Sequence, residues 1–212
     1  GFLTSYSHQV ATALENARLF AETEERLKNV QALHTIDNVI TASFDLKLTL
    51  GVVLEQTMSQ LKVDAASILL LTPGLQTLEF AAGRGFRAKI IERTRLRLGE
   101  GRVGIAALEH QTLVVSDLSP TITDSYLAQL KTEEGFVIYA CVPFIAKGKV
   151  KGVLEVFNRS PLHLNDEWVK FLETLAGQTA IAIENYTLFT DLHRSNAELN
   201  MAYDTTLEGW SR

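Results

Sequence analysis

The sequence predicts an α+β domain: an antiparallel sheet with helices on both faces, framed by long N- and C-terminal helices. Three observations carry that prediction. Glycine and proline are absent from 4 to 43, where apolar residues recur at helical spacing. A second helical run follows Asn165. Between them lie short apolar runs punctuated by glycine turns, above all 137–145 and 150–157, which join across Lys147-Gly148-Lys149 as a hairpin. Both of those strands are apolar on both faces, so the sheet is expected to be covered on each side.

In chain order, residues 4–43 read as one helix carrying Leu27, Val30, Leu33, Ile36 and Ile40, with Phe44 at its end. Asp45 is placed to N-cap a second helix whose stripe is Leu50, Val53, Leu54, Met58 and Leu61. The period then changes. Strands at 66–72 and 77–82 turn at Pro73-Gly74, and a further strand at 95–98 ends in the turn Gly99-Glu100-Gly101. A short helix over 103–110, a strand over 113–116 running into Asp117, and a helix over 126–134 precede the closing hairpin. Pro143 has no N–H to give to a ladder and must sit at an edge or bulge. Asn165 caps the last helix, Asp166 and Glu167 place negative charge in its first turn, and Leu164 can staple onto Val169. That helix is expected to run to about Leu207.

Composition narrows the function classes. Of 212 residues 46% are hydrophobic and 21% charged, ordinary for a globular protein, and a net charge of −5 offers no basic footprint for nucleic acid or anionic lipid. No nucleic acid partner and no direct membrane contact are expected. Cys141 is the sole cysteine, so no internal disulfide and no cysteine-based metal cluster can form. With no basic leader before Gly1 and no apolar run of membrane-spanning length, the expected location is cytoplasmic.

Two segments nearly repeat one another. Gln9, Ala11, Ala13, Glu15, Asn16, Leu19 and Phe20 recur at one constant offset as Gln178, Ala180, Ala182, Glu184, Asn185, Leu188 and Phe189. The second copy closes the domain, so residues 1–35 read as the closing helix of a preceding domain of the same kind plus a connector. The domain itself is expected over 36–192, and 193–212 as an exit helix leading to an output domain. In alternating steps of four and three, Ile181, Asn185, Leu188, Leu192, Ser195, Leu199 and Ala202 fall on one seam, the frame of a two-stranded coiled coil. A homodimer with Ile181, Asn185, Leu188, Leu192 and Leu199 at its interface is therefore expected, Asn185 setting the register.

The order of these elements resembles the GAF domain family. The resemblance rests on Gly99-Glu100-Gly101-Arg102-Val103-Gly104, Val115-Ser116-Asp117, Cys141-Val142-Pro143-Phe144, Gly152 to Arg159, and Leu164-Asn165-Asp166-Glu167. It implies a six-stranded antiparallel sheet with the terminal helices on one face and a small-molecule pocket on the other. It also implies a sensory or regulatory role, with cyclic nucleotides, bilins, haem or small metabolites as ligands of various members. The pocket is expected to be walled by Phe80, Phe86, Val103, Asp117, Tyr126, Tyr139, Cys141 and Glu155.

The identity of an unidentified small-molecule ligand, and any cofactor, stays open. Cyclic-nucleotide-binding members carry an Asn-Lys pair, then a Phe and an Asp-Glu pair; here Asn158-Arg159 and Asp166-Glu167 are similar but Leu164 replaces Phe and the spacing is short. Bilin attachment uses a cysteine on the helical side of the pocket, whereas Cys141 falls mid-strand and reads as a small buried residue. His110 and His163 lie beside turns, poor positions for a haem ligand. GAF-like methionine sulfoxide reductases use several cysteines, and no nucleophile-base constellation is present, so the chain reads as non-catalytic. Asp117 and Glu155 can be read as an acid-base pair, or separately, Asp117 as a turn-capping residue and Glu155 as a pocket-lining or salt-bridged carboxylate. The end of the chain, 202–212, resembles the segment that opens HD-GYP phosphohydrolase domains, which cleave cyclic di-GMP. That points to a bacterial signalling protein; a histidine kinase or diguanylate cyclase output is the alternative, and a ligandless dimerisation scaffold is the alternative to a sensor.

Overall fold

The computed structural model describes residues 45–72, 74–118 and 124–210, preceded by 14–20 and by positions 23, 24, 27, 30 and 31; for 199, 200 and 202–210 it describes backbone alone. Most of the first expected helix therefore lies outside the described residues, although 14–20 is helical. Helix α1 (Leu46–Leu61) is capped by Asp45, whose carboxylate accepts the N–H groups of Lys47 and Leu48. It buries Leu50, Val53, Leu54 and Leu61. The chain then forms β1 (Ala65–Thr72), β2 (Thr77–Arg84), a 3₁₀ helix (Lys89–Arg93), β3 (Arg95–Arg97), α2 (Gly101–Glu109), β4 (Leu113–Val115), α3 (Ser125–Glu134), β5 (Ile138–Ala146), β6 (Lys149–Asn158) and α4 (Asp166–Trp210).

All six strands join one antiparallel sheet in the order β3-β2-β1-β6-β5-β4. The closing hairpin turns on Lys147 and Gly148, both at positive φ (50° and 72°), as a tight two-residue turn matched to strand twist requires. Pro143 lies past the short β4, which pairs only with Tyr139 to Cys141, so no ladder bond is lost on that side.

Alternation along the strands divides the core in two. Ala66, Ile68, Ala140, Val142, Leu154 and Val156 pack against α1 and α4 through Leu50, Val53, Leu172, Leu175 and Ala176. Trp168 Nε1 donates to the carbonyl of Leu61 at 3.2 Å, tying α4 to the end of α1. On the other face Leu69, Tyr139, Cys141, Val153 and Phe157 meet α2 and α3 through Val103, Ala107, Leu127 and Leu130. Gly104 lets α2 lie close to β3, because a Cβ there would stand 2.3 Å from the carbonyl oxygen of Arg97.

Helix α4 is 45 residues long, about 67 Å at the helical rise per residue. Its cap is Asn165, which accepts the N–H of Trp168 at 2.8 Å. The repeat separates here by environment: Ile183 is 6% exposed against the sheet, while Leu14, the residue in the same register of the first copy, is 67% exposed. No helix among the described residues is long and apolar enough to cross a membrane.

Candidate functional site

Register brings three polar side chains into line on the face away from the terminal helices. Glu155 on β6 pairs with Ser67 on β1 and with Cys141 on β5, so those residues flank it directly. Glu155 is fully buried. Its carboxylate accepts Ser67 Oγ at 2.8 Å, the Tyr139 hydroxyl at 2.9 Å and the Tyr126 hydroxyl at 2.9 and 3.1 Å. Removal from water pushes Glu155 up to about 7, since three hydroxyl donors offset only part of the desolvation. Burial likewise raises both tyrosines well above their ordinary value and the Cys141 thiol to about 12. A thiol held that high is not a thiolate nucleophile at neutral pH.

Tyr126 connects this buried cluster to open space. Its ring belongs to the wall of a 640 Å³ cavity between the 3₁₀ helix and α3, where Lys89, Arg93, Thr94, Arg95, Gln129 and Glu133 also line the surface. The same ring lines a smaller cavity of 200 Å³ with Val103 and Asp124. Asp124 holds that corner together: one carboxylate oxygen accepts Tyr126 and Leu127 N–H to cap α3, and the other accepts Arg102 N–H in the first turn of α2 at 2.7 Å.

A second buried carboxylate fixes the cavity's other wall. Glu134, at the end of α3, accepts the Arg87 N–H at 2.9 and 3.0 Å and the Ala88 N–H at 2.7 Å, just ahead of the 3₁₀ helix, and pairs with Arg159 at 2.8 Å. Burial would raise its pKa, but the two amides and the guanidinium outweigh that and hold it below the ordinary carboxylate range. Arg159 also donates to the carbonyls of Glu134 and Gly85 and stacks 4.6 Å from the centre of Phe136. Glu134→Gln is expected to cost about 3 kcal/mol of unfolding free energy, because it removes the buried charge that pairs with the part-buried Arg159 guanidinium and sets an amide NH2 donor among the N–H donors of Arg87, Ala88 and Arg159; urea denaturation measures it, and a loss under about 0.5 kcal/mol, the size of a neutral surface change, would contradict this account.

The expected wall residues divide. Tyr126, Tyr139, Cys141 and Glu155 converge. Val103 lines the smaller cavity, and Phe80 lines a separate 370 Å³ cavity with Glu92, Arg93 and Arg95. Phe86 packs edge-on against Phe136 and Phe157, filling core rather than bounding the cavity. Asp117 is exposed and lines none of these spaces, because β4 ends at Val115 and the chain then leaves the sheet. Ser67, Asp124, Glu134 and the 3₁₀ helix carry the geometry without having been singled out in the sequence, and Arg159 was named there only within the family resemblance and the Asn158-Arg159 pair. Of the first group Ser67 alone left a trace, as a polar residue inside an apolar strand.

On α4, Ile181, Leu188 and Leu192 are exposed at 57%, 51% and 61%, and Asn185 is exposed on the same side. The side chain of Leu199 lies outside the described residues. Lys147 and Lys151, from the closing hairpin, meet Glu184 of α4 at 3.1 and 2.5 Å, and their hydrogen bonds hold its carboxyl below the ordinary range.

A six-stranded antiparallel sheet with its terminal helices on one face, and a polar cluster with cavities on the other, defines a distinct class of small α+β module. The chain belongs to the GAF domain family, whose profile matches residues 45–183. It is similar in structure to the GAF domain of an Acinetobacter phosphoenolpyruvate-protein phosphotransferase, with 28% identity over 75% of this chain and 94% of that one and a TM-score of 0.65. It is also similar to part of a methyl-accepting chemotaxis protein, 25% identical over 73% of this chain and 98% of that one, TM-score 0.61. A free methionine-R-sulfoxide reductase from Neisseria meningitidis, solved with its substrate, shares the fold at 19% identity over 76% and 90%, TM-score 0.63. No match is found among curated proteins.

Proposed function

We propose that this chain is a non-catalytic sensory module of a bacterial signalling protein that binds a small ligand beside Tyr126 and acts as a homodimer on a downstream domain. The observation that carries the reading is the path from the 640 Å³ cavity through Tyr126 to Glu155 at the centre of the sheet. Strand β6, which bears Glu155, leads by a short loop into α4, and the Lys147 and Lys151 contacts to Glu184 couple the same hairpin to that helix. A ligand that binds one position of Tyr126 better than another would bias α4 by that difference in affinity. The resemblance of 202–212 to the opening of HD-GYP domains supports a cyclic di-GMP phosphodiesterase as the regulated output. The exposed Leu14, set against the buried Ile183, supports residues 1–35 as the closing helix of a preceding GAF-like domain.

One observation favours a ligandless dimerisation scaffold: Ser67, Tyr126 and Tyr139 already satisfy Glu155, so the cluster makes no polar demand on a guest. Native mass spectrometry of the purified protein, before and after denaturation, separates the two. A co-purifying small molecule released on denaturation is the expected result. Equal masses, together with an unchanged melting temperature across a metabolite panel, would leave the scaffold.

A further inference from the structure

We propose that the cavity between the 3₁₀ helix and α3 takes a small anion, an organic acid or a phosphate ester, held by Lys89 and Arg93. This rests on the reading of that cavity as a ligand site. In a chain of net charge −5, three of the lining residues are cations, Lys89, Arg93 and Arg95, against one carboxylate, Glu133. Arg95 is 3.5 Å from Glu79 and so is partly neutralised. Glu133 accepts a hydrogen bond from Gln129 and forms no ion pair among the described residues. Lys89 and Arg93 likewise have no carboxylate partner among the described residues, although Glu92 stands beside Arg93 on the wall of the neighbouring cavity.

Three features make this more than a charged surface. The cations sit on the rim of a half-open cleft whose apolar walls, Ile90, Leu96 and Leu130, exclude part of the solvent and strengthen attraction to an anion. The segment that carries them is anchored, because Glu134 grips the Arg87 and Ala88 amides immediately before Lys89. The remaining wall offers neutral polar groups of Thr94, Ser125 and Gln129, able to bond anionic oxygens without adding charge. Behind them burial pushes Glu155 up to about 7, so near neutral pH it repels an anion less than an ordinary carboxylate would. Planar guanidinium and mobile ammonium together suit carboxylate and phosphate oxygens alike.

Amide NMR titrations with citrate, with inorganic pyrophosphate and with uncharged sorbitol test the proposal. One or both anions should move the Thr94, Tyr126 and Gln129 signals, and sorbitol should not. The probe that acts distinguishes carboxylate from phosphate recognition. Lys89 and Arg93 are exposed, so Lys89→Gln with Arg93→Gln leaves the core intact; this double variant should bind at least about tenfold more weakly, the loss of a charge-assisted hydrogen bond. Binding by the native protein should weaken with salt. Unchanged affinity in the double variant, or sorbitol acting as strongly as the anions, would overturn anion recognition while leaving the cavity a ligand site. If no probe moves the cavity signals, the charge of any co-purifying molecule decides: an anion upholds the proposal, an uncharged or cationic one defeats it, and none defeats the ligand reading as well.

Discussion

Glu155→Gln is expected to remove a pH dependence of stability that the native carboxyl imposes. Its folded pKa of about 7 lies above its ordinary value of 4.5, so between those values the folded protein holds a proton that the unfolded chain has released. The sign follows from linkage: the contribution of Glu155 is fully favourable below about 4.5, falls as pH rises, and is lost by pH of about 7. A shift of that size corresponds to roughly 3 kcal/mol. Other groups act in the opposite sense, since Glu134 and Glu184 have lowered values and their stabilisation disappears as pH falls. The informative quantity is therefore the difference between native protein and variant, measured by urea denaturation at several pH values. Relative to the native protein, Glu155→Gln should gain stability between acidic and mildly alkaline pH. The amide keeps the shape, and hydroxyls of Ser67, Tyr126 and Tyr139 can reorient, each being donor and acceptor. A difference that stays constant across that range would show that the buried carboxyl does not titrate there.

Leu192→Glu is expected to convert a dimer into a folded monomer. Ile181, Leu188 and Leu192 are exposed on a face of α4 turned away from the sheet contact made by Ala180 and Ile183, so α4 has one face committed to the domain and another that the domain leaves bare. In a symmetric pair each leucine would be buried twice, a loss of about 3 kcal/mol or more on substitution, with two carboxylates then facing one another. That predicts a dissociation constant weakened about a hundredfold or more. Light scattering reads the mass, and circular dichroism confirms that the domain stays folded. A native protein that is monomeric at tens of micromolar would end the dimer proposal.

Much of the fold was legible because its signals are local. Asp45 and Asn165 announce their helices through an oxygen within three residues of the amides it accepts. Lys147-Gly148 announces its turn because those two positions need positive φ. The family resemblance drew on such segments, and the six-stranded sheet with α1 and α4 packed on one face follows the pattern it implied. The 3₁₀ helix Lys89–Arg93 was not legible, for five residues are too few to show a period.

The candidate site divides along the same line. Tyr126, Tyr139, Cys141 and Glu155 were named as pocket walls through the family resemblance, and Tyr139, Cys141 and Glu155 also stand out as polar or reactive side chains within apolar strands. Their convergence depends on the register that sets Ser67 and Cys141 beside Glu155, across strands distant in sequence. Asp117 and Asp124 show the limit most plainly. Both are acidic residues between β4 and α3, yet Asp124 caps two helices beside the cavity and Asp117 faces solvent. Periodicity, caps and turns act over a few residues and are written along the chain; which carboxylate meets which amide, hydroxyl or guanidinium is set by long-range packing, and Glu134 finding Arg159 and the Arg87 amide is a product of that packing.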